Sequence, residues 1–381
     1  MYAPRAPRPR KRIRRLRINS SFPPQEDGRR WFGQLQRNRY RNALVVNVEP
    51  RLGSSGDRGQ EDATAGSSSV NAYWRRALGV GLGAAGVALT VWMVRTAVSL
   101  RAFFQVNGEL RTPSQTRRYL LHVPARHDPD RAAPLVVVIH GFMQSPAHQQ
   151  QMTRWDDLAD TEDFITVYPM GAGFPLRWPS HEPGTTSAET RAQVEFIGGL
   201  VDELCTKHRI DRDRVYASGM SNGGGLACAL AHELPDVFAA VGSVAGLYTY
   251  PAKGPSSGRS VPLIAFHGDL DRIVPIEGGV ERLGYPVPAV AVWMADYADS
   301  CGCTKVDTEQ VDATVERVRY SGGPHDAEVV WYRVGGAGHT WPGGVPLPEA
   351  ITGPTSAAVD ATRLTWEFFE RHPATSVRRS P

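Results

Sequence analysis

A serine, a carboxylate and a histidine, each in a turn that follows an apolar run, occur in that order along this 381-residue chain. Ser221 lies in Gly219-Met220-Ser221-Asn222-Gly223, between apolar stretches at 215–218 and 224–231. The pattern G-x-S-x-G reads as strand, sharp turn, helix, and its glycines let the backbone pack closely enough to stand the serine at the top of a sheet. A serine hydroxyl is a poor nucleophile at neutral pH. It needs a histidine to take its proton and an acid to hold that histidine in one tautomer. The acid lies in His267-Gly268-Asp269-Leu270-Asp271, where Asp269 and Asp271 compete, and the base in Gly335-Gly336-Ala337-Gly338-His339. His267 and His140 also follow apolar runs; the first reads as a structural group at a strand end, the second as a support for the loop it opens. Charge developing on an ester oxygen needs hydrogen-bond donors in place. The backbone N–H of Asn222 is the first, and that of Phe142, with Met143 as its substitute, is the second. Trp341, two residues beyond the base, and Trp178 are expected to line an acyl pocket, the alternative for each being core packing.

Positioning such groups takes strands that end along one edge of a sheet. Beyond residue 101, short apolar runs alternate with longer amphipathic stretches, an α/β signature. Strands are expected at 118–123, 135–139, 164–168, 215–218, 238–244 and 262–266, with 135–139 apolar on both faces as a central strand requires. Segments at 293–298, 315–320 and 329–334 carry the pattern onward. Val194, Ile197, Leu200, Val201 and Leu204 recur at helical spacing, and Leu364 and Phe368 mark a last helix that stops before Pro373. Because helices or long loops separate most strands, a mostly parallel sheet with helices on both faces is the simplest topology. That is the α/β-hydrolase arrangement, whose chain order is serine, acid, histidine.

The net charge of +4 conceals an asymmetry: 17 basic and 6 acidic residues lie up to Arg76, leaving 26 and 33 beyond it. The basic leader is rich in proline and arginine without interleaved aromatics, so it reads as a disordered segment and excludes a nucleic-acid module. Residues 51–69 have linker composition. Residues 77–94 are an uncharged, mostly apolar run of 18, flanked by Arg75-Arg76 and Arg95, at the lower limit for spanning a bilayer. Its basic flank favours an internal N-terminus and an exported remainder, secreted or anchored by this segment. Three regions follow: a leader at 1–69, either disordered or an over-extended gene model; an export signal or anchor at 70–101; and a catalytic domain at 102–381.

Four motifs stand in order: His140-Gly141; Gly219-Met220-Ser221-Asn222-Gly223-Gly224; His267-Gly268-x-x-Asp271-x-x-Val274-Pro275-x-x-Gly278-Gly279; and Gly338-His339-Thr340-Trp341-Pro342-Gly343. Together they resemble the exported esterases that include polyhydroxybutyrate depolymerases, feruloyl esterases and acetyl-xylan esterases, over roughly residues 103–371. The resemblance implies an α/β hydrolase with Ser221, Asp271 and His339 as its triad, and it favours Asp271 over Asp269. The chain departs from the family where paired aspartates are expected at the start of a helix: Ala192-Gln193 stand there.

The implied substrate is an ester, either a hydroxyalkanoate polyester or an aromatic or acetyl ester of plant cell walls. Neither cofactor nor metal is expected; Cys301-Gly302-Cys303 is too short for ordinary zinc spacing. Cys205, Cys228, Cys301 and Cys303 permit two disulfides in an exported domain. A serine peptidase on the same fold and a non-catalytic binding protein are the competing readings.

Overall fold

The computed structural model of the protein describes residues 101–112, 115–179, 187–249, 252 and 259–374. The leader and the apolar run at 77–94 lie outside these. Among the described residues no helix is long and apolar enough to cross a membrane.

The strands are β1 (Gly108–Arg111), β2 (Thr116–His122), β3 (Ala133–Ile139), β4 (Ile165–Pro169), β5 (Ile210–Met220), β6 (Ala240–Val244), β7 (Leu263–Gly268), β8 (Gly279–Val280), β9 (Pro286–Val287), β10 (Lys305–Asp312), β11 (Val315–Ser321) and β12 (Val329–Val334). Interspersed are helices α1 (Pro146–Thr153), α2 (Trp155–Glu162), α3 (Ser187–Lys207), α4 (Asn222–Glu233), α5 (Val290–Ser300), α6 (Glu349–Thr352) and α7 (Ala361–Arg371). One sheet runs in the order β1-β2-β4-β3-β5-β6-β7-β12-β11-β10. Its six central strands, β4 to β12, are parallel, while β1 and β2 at one side and β11 and β10 at the other are antiparallel. This arrangement fits the α/β-hydrolase fold, and the chain reverses its direction of travel across the sheet between β3 and β5, where such sheets open a crevice at the strands' C-terminal ends.

Strand β3 shows why the centre is parallel. Every residue of Ala-Pro-Leu-Val-Val-Val-Ile is buried, and the side chains alternate between two cores. Leu135, Val137 and Ile139 pack with residues of α3, α4 and α5, whereas Val136 and Val138 pack with residues of α1, α2 and α7. Helix α3 presents Val194, Ile197, Leu200, Val201 and Leu204 to the first core, as its spacing requires. Ser145 caps α1 by accepting from the His148 N–H at 3.2 Å, and Asp360 caps α7 by accepting from the Arg363 N–H at 3.0 Å.

Two features differ from expectation. Residues 293–298 belong to helix α5. Strand β10 is exposed along its whole length, so no apolar run announces it. All four cysteines are free thiols, Cys228 buried in α4 as a small apolar residue and Cys301 closing α5.

The departure at Gln193 has a structural counterpart. Arg117 of β2 is 5% exposed, and its Nη2 donates to the Met170 carbonyl and to Gln193 Oε1, each at 3.2 Å. Its guanidinium lies 3.9 Å from the Phe196 ring centroid. Among the described residues it has no carboxylate partner, its Nη1 is unsatisfied, and burial lowers its pKa to about 10. A carboxylate at 193 would face a cation whose desolvation has already been met. Gln193→Glu is therefore expected to raise unfolding stability by about 1 kcal/mol at pH 7, the pairing being partly offset by the carboxylate's own desolvation and by loss of the bond from Gln193 Nε2 to the Glu189 carbonyl. The gain should be lost as pH falls from about 4.3 towards 3, through the unfolded and then the lowered folded pKa of the new carboxyl. Urea unfolding at pH 7 and pH 3 tests this; equal stability of both proteins at pH 7 refutes it.

Candidate active site

Ser221 occupies the residue between β5 and α4 with φ 54° and ψ −120°, a conformation a non-glycine residue adopts only under strain. Three backbone bonds enforce it. The Ser221 N–H donates to the Val244 carbonyl at 2.9 Å, and the Ser221 carbonyl accepts from Gly225 and Leu247, both at 3.0 Å. The flanking glycines are steric necessities: a Cβ on Gly219 would stand 2.3 Å from the Gly223 carbonyl oxygen, and one on Gly223 would stand 2.4 Å from that of Ile139. Helix α4 begins directly behind the serine, aiming first-turn N–H groups and the positive end of its dipole at this edge.

The acid and the histidine meet. His339 Nδ1 donates to Asp271 Oδ2 at 2.7 Å across 68 positions of sequence. Asp271 Oδ1 accepts from the backbone N–H groups of Ile273 and Val274, both at 2.8 Å. Burial by itself raises this carboxyl's pKa, but the neighbouring His339 and His267 and the hydrogen bonds they offer outweigh it and hold Asp271 well below the usual carboxylate range. His267, buried at the end of β7, donates from Nε2 to the Val274 carbonyl at 2.9 Å and stands 3.4 Å from Asp271 Oδ2. It braces the acid's turn. Asp269 is engaged elsewhere, its Oδ1 accepting from the Gly336 N–H at 2.8 Å, which ties the acid turn to the histidine turn. Ser221, Asp271 and His339 all sit on loops leaving the C-terminal ends of parallel strands β5, β7 and β12.

The loop after β3 is braced from below. Gly171 N–H donates to His140 Nε2 at 2.9 Å, so the ring proton sits on Nδ1, which donates to the Gly141 carbonyl at 2.8 Å. Neutral and fully buried, His140 has its pKa lowered to about 4, chiefly by desolvation. The Met143 N–H is committed to the Leu176 carbonyl at 2.9 Å, which leaves Phe142 as the donor candidate on this loop. Asn222 does more than present its backbone. Its side chain accepts from the Trp178 N–H at 2.7 Å and donates to the Trp178 carbonyl at 3.1 Å, a two-point clamp on the segment after β4.

That clamp corrects the pocket expectation. Trp178 is 0% exposed: its indole N–H donates to the His140 carbonyl at 2.8 Å and its ring packs on His140 and Phe196. Trp341 is 1% exposed and its indole N–H donates to Thr362 Oγ1 at 2.9 Å, which in turn donates to the Thr153 carbonyl at 2.6 Å. With no ring surface free, neither faces a ligand here; both anchor active-edge loops to the core. Only contact partners far apart in sequence reveal this, so residue type and spacing had no means of signalling it.

Because the folded pKa of His140 lies below its unfolded value of about 6.5, the unfolded chain takes up the proton first as pH falls. Its contribution to stability, at most about 3 kcal/mol, is present above pH 6.5 and is lost as pH falls towards 4. His140→Asn should flatten the dependence of unfolding free energy on pH between 4 and 6.5. An unchanged slope in urea titrations would refute the assignment.

With this geometry established, comparisons with known proteins are specific. Residues 118–320 match the family described as Esterase PHB depolymerase. A putative esterase, NocK, of Nocardia uniformis subsp. tsuyamanensis is 29% identical over 281 residues, 68% of this chain and 81% of that protein. Poly(3-hydroxyalkanoate) depolymerase C of Paucimonas lemoignei is 30% identical over 271 residues, 67% of this chain and 61% of that protein. Feruloyl esterase C of Emericella nidulans is 26% identical over 272 residues, 70% and 85% respectively. Among solved structures, an acetyl xylan esterase from Aspergillus awamori aligns with a TM-score of 0.49 at 16% identity, over 69% of this chain and 98% of that one. A sequence match spanning more than half of the chain, over the strand-turn-helix that holds Ser221 and the turn that holds Asp271, makes this protein a member of the esterase PHB depolymerase family.

Proposed function

We propose that the protein hydrolyses carboxylic esters through an acyl-enzyme, with Ser221 as nucleophile, His339 as general base and acid, and Asp271 as the group that orients and stabilises the imidazolium. The observation that carries this reading is the 2.7 Å bond from His339 Nδ1 to a buried, ionised Asp271. It fixes the proton on Nδ1 and leaves Nε2 as the basic nitrogen. Ser221 Oγ attacks the ester carbonyl as its proton passes to Nε2. The tetrahedral oxyanion accepts from the backbone N–H groups of Asn222 and Phe142. Collapse expels the alcohol, which takes the proton back from His339, and water repeats the sequence to release the acid. The strained backbone at Ser221 is consistent with this role, because it keeps the hydroxyl out of the helix-capping bond a serine there would otherwise make.

For substrate, a hydroxyalkanoate polyester or its oligomers is favoured. Met143, Phe174 and Leu270 are 63%, 90% and 50% exposed on loops leaving the same edge of β3, β4 and β7. Apolar side chains flanking the nucleophile on both sides suit a polyester chain better than a sugar. The relatives' names keep feruloyl and acetyl-xylan esters as the alternative. Export, directed by residues 77–94, completes the proposal and rests on sequence composition.

Hydrolysis of hydroxybutyrate oligomers, methyl ferulate, acetylated xylan and short p-nitrophenyl esters tests the reading. The wild type should turn over at least one, fastest on the oligomers. Ser221→Ala should fall to background, and Asp271→Asn by about 10⁴-fold. A folded wild type inactive on all four, or Ser221→Ala retaining activity, would sink it.

A further inference from the structure

The turn that follows β3 engages all but one of its backbone donors within the protein. In Gly141-Phe142-Met143-Gln144 the Gln144 N–H donates to the Gly141 carbonyl at 3.2 Å, and Met143 stands third with φ 61°, the pattern of a type II turn. The Met143 N–H goes to the Leu176 carbonyl at 2.9 Å and the Gly141 N–H to Gln144 Oε1 at 2.6 Å. Among the described residues the Phe142 N–H has no acceptor. Backbone donors are seldom left open in a folded chain, and an open one on this loop is what an oxyanion hole requires.

The side chain of Gln144 is half-buried and its amide has one satisfactory orientation. Oε1 must face the Gly141 N–H, because the exchanged amide would set donor against donor. Nε2 is then directed at the sulfur atoms of Met152 at 3.8 Å and Met220 at 4.0 Å, weak acceptors that suit a donor and not a second oxygen. Met152 belongs to α1, and Met220 immediately precedes Ser221. One side chain therefore touches the loop after β3, the helix that leaves it and the turn of the nucleophile. The loop side fits closely: a Cβ on Gly141 would stand 2.8 Å from Gln144 Oε1 and 3.4 Å from the Met220 carbonyl oxygen.

We infer that Gln144 is a positioning residue for the oxyanion hole. By taking the Gly141 N–H and bridging to Met220 it closes the turn that aims the Phe142 N–H, and it leaves that N–H to the substrate oxygen. Gln144 itself touches no reacting atom. Without Oε1 the turn loses the bond that ties its first residue to its last, and the Gly141 N–H becomes a rival donor beside Phe142. The hole then has no single place for the developing charge. This inference rests on the esterase reading and adds to it a group outside the triad.

The test is the ratio of kcat/KM for p-nitrophenyl acetate to that for its thiono analogue, in which sulfur replaces the carbonyl oxygen. A sulfur anion is a weaker hydrogen-bond acceptor and draws less from the hole, whereas general damage to the site slows both esters alike. Gln144→Met and Gln144→Ala remove the acceptor. Each should lower the oxo-to-thiono ratio by about tenfold or more, part of the ~10²–10³ that loss of a whole donor costs, with circular dichroism unchanged. Gln144→Glu keeps an oxygen for the Gly141 N–H, so its ratio should stay within about threefold of wild type even where its charge slows both esters. An active wild type whose ratio survives in both acceptor-free variants overturns the inference and leaves the esterase reading intact, as does a Gln144→Glu ratio that falls as far as theirs. A folded wild type inert to both esters refutes the esterase reading and this inference with it.

Discussion

The close approach of one backbone turn to its neighbours is the constraint on which the site depends. Ser221 holds a left-handed φ because β5 ends against β6, whose Val244 carbonyl takes its N–H, and because Gly223 lies against the carbonyls of Ile139 and His140. Contacts of this kind tolerate no Cβ. They fix the height of the serine above the sheet and, by the same stroke, the distance from the elbow to the loop after β3. The energy stored at Ser221, of order 1–3 kcal/mol, is offset by the fully buried strands on either side.

Histidine is used in three different hydrogen-bonding settings in this fold. His140 is neutral because a donor, the Gly171 N–H, occupies one nitrogen and desolvation penalises its charge. His339 directs its Nδ1 proton at the Asp271 carboxylate. His372, far from that edge, faces two acceptors, the Phe368 carbonyl and Glu328 Oε2. Neighbouring donors and acceptors, not burial, separate the three, since all are buried. Arg117 beneath the Trp178 segment is the contrasting case, a cation held, among the described residues, by π faces and neutral acceptors.

Much of the architecture was legible because apolar periodicity reports burial directly. The seven-residue β3, the stripe of α3 and the strand before Ser221 all read from their side-chain patterns, as did the order of the serine, acid and histidine turns. Patterns failed where burial was absent or shared. β10 exposes both faces, the apolar residues of α5 cluster as those of the neighbouring strands do, and the indoles of Trp178 and Trp341 have the composition of pocket walls yet fill core space.

Sequence alone determined the chemistry on offer: a glycine-flanked serine at a strand end, with acid and base on later turns in the order the fold uses. Those are local matters of residue type and spacing, and local sterics dictate them. Tertiary structure decided which groups touch. It bonded His339 to Asp271 and turned Asp269 to the Gly336 N–H, committed the Met143 N–H to Leu176, and clamped Trp178 with the Asn222 side chain. Each of these joins segments tens of residues apart or assigns one hydrogen among rival acceptors, and only the packed sheet, by bringing the loop ends together, makes that selection.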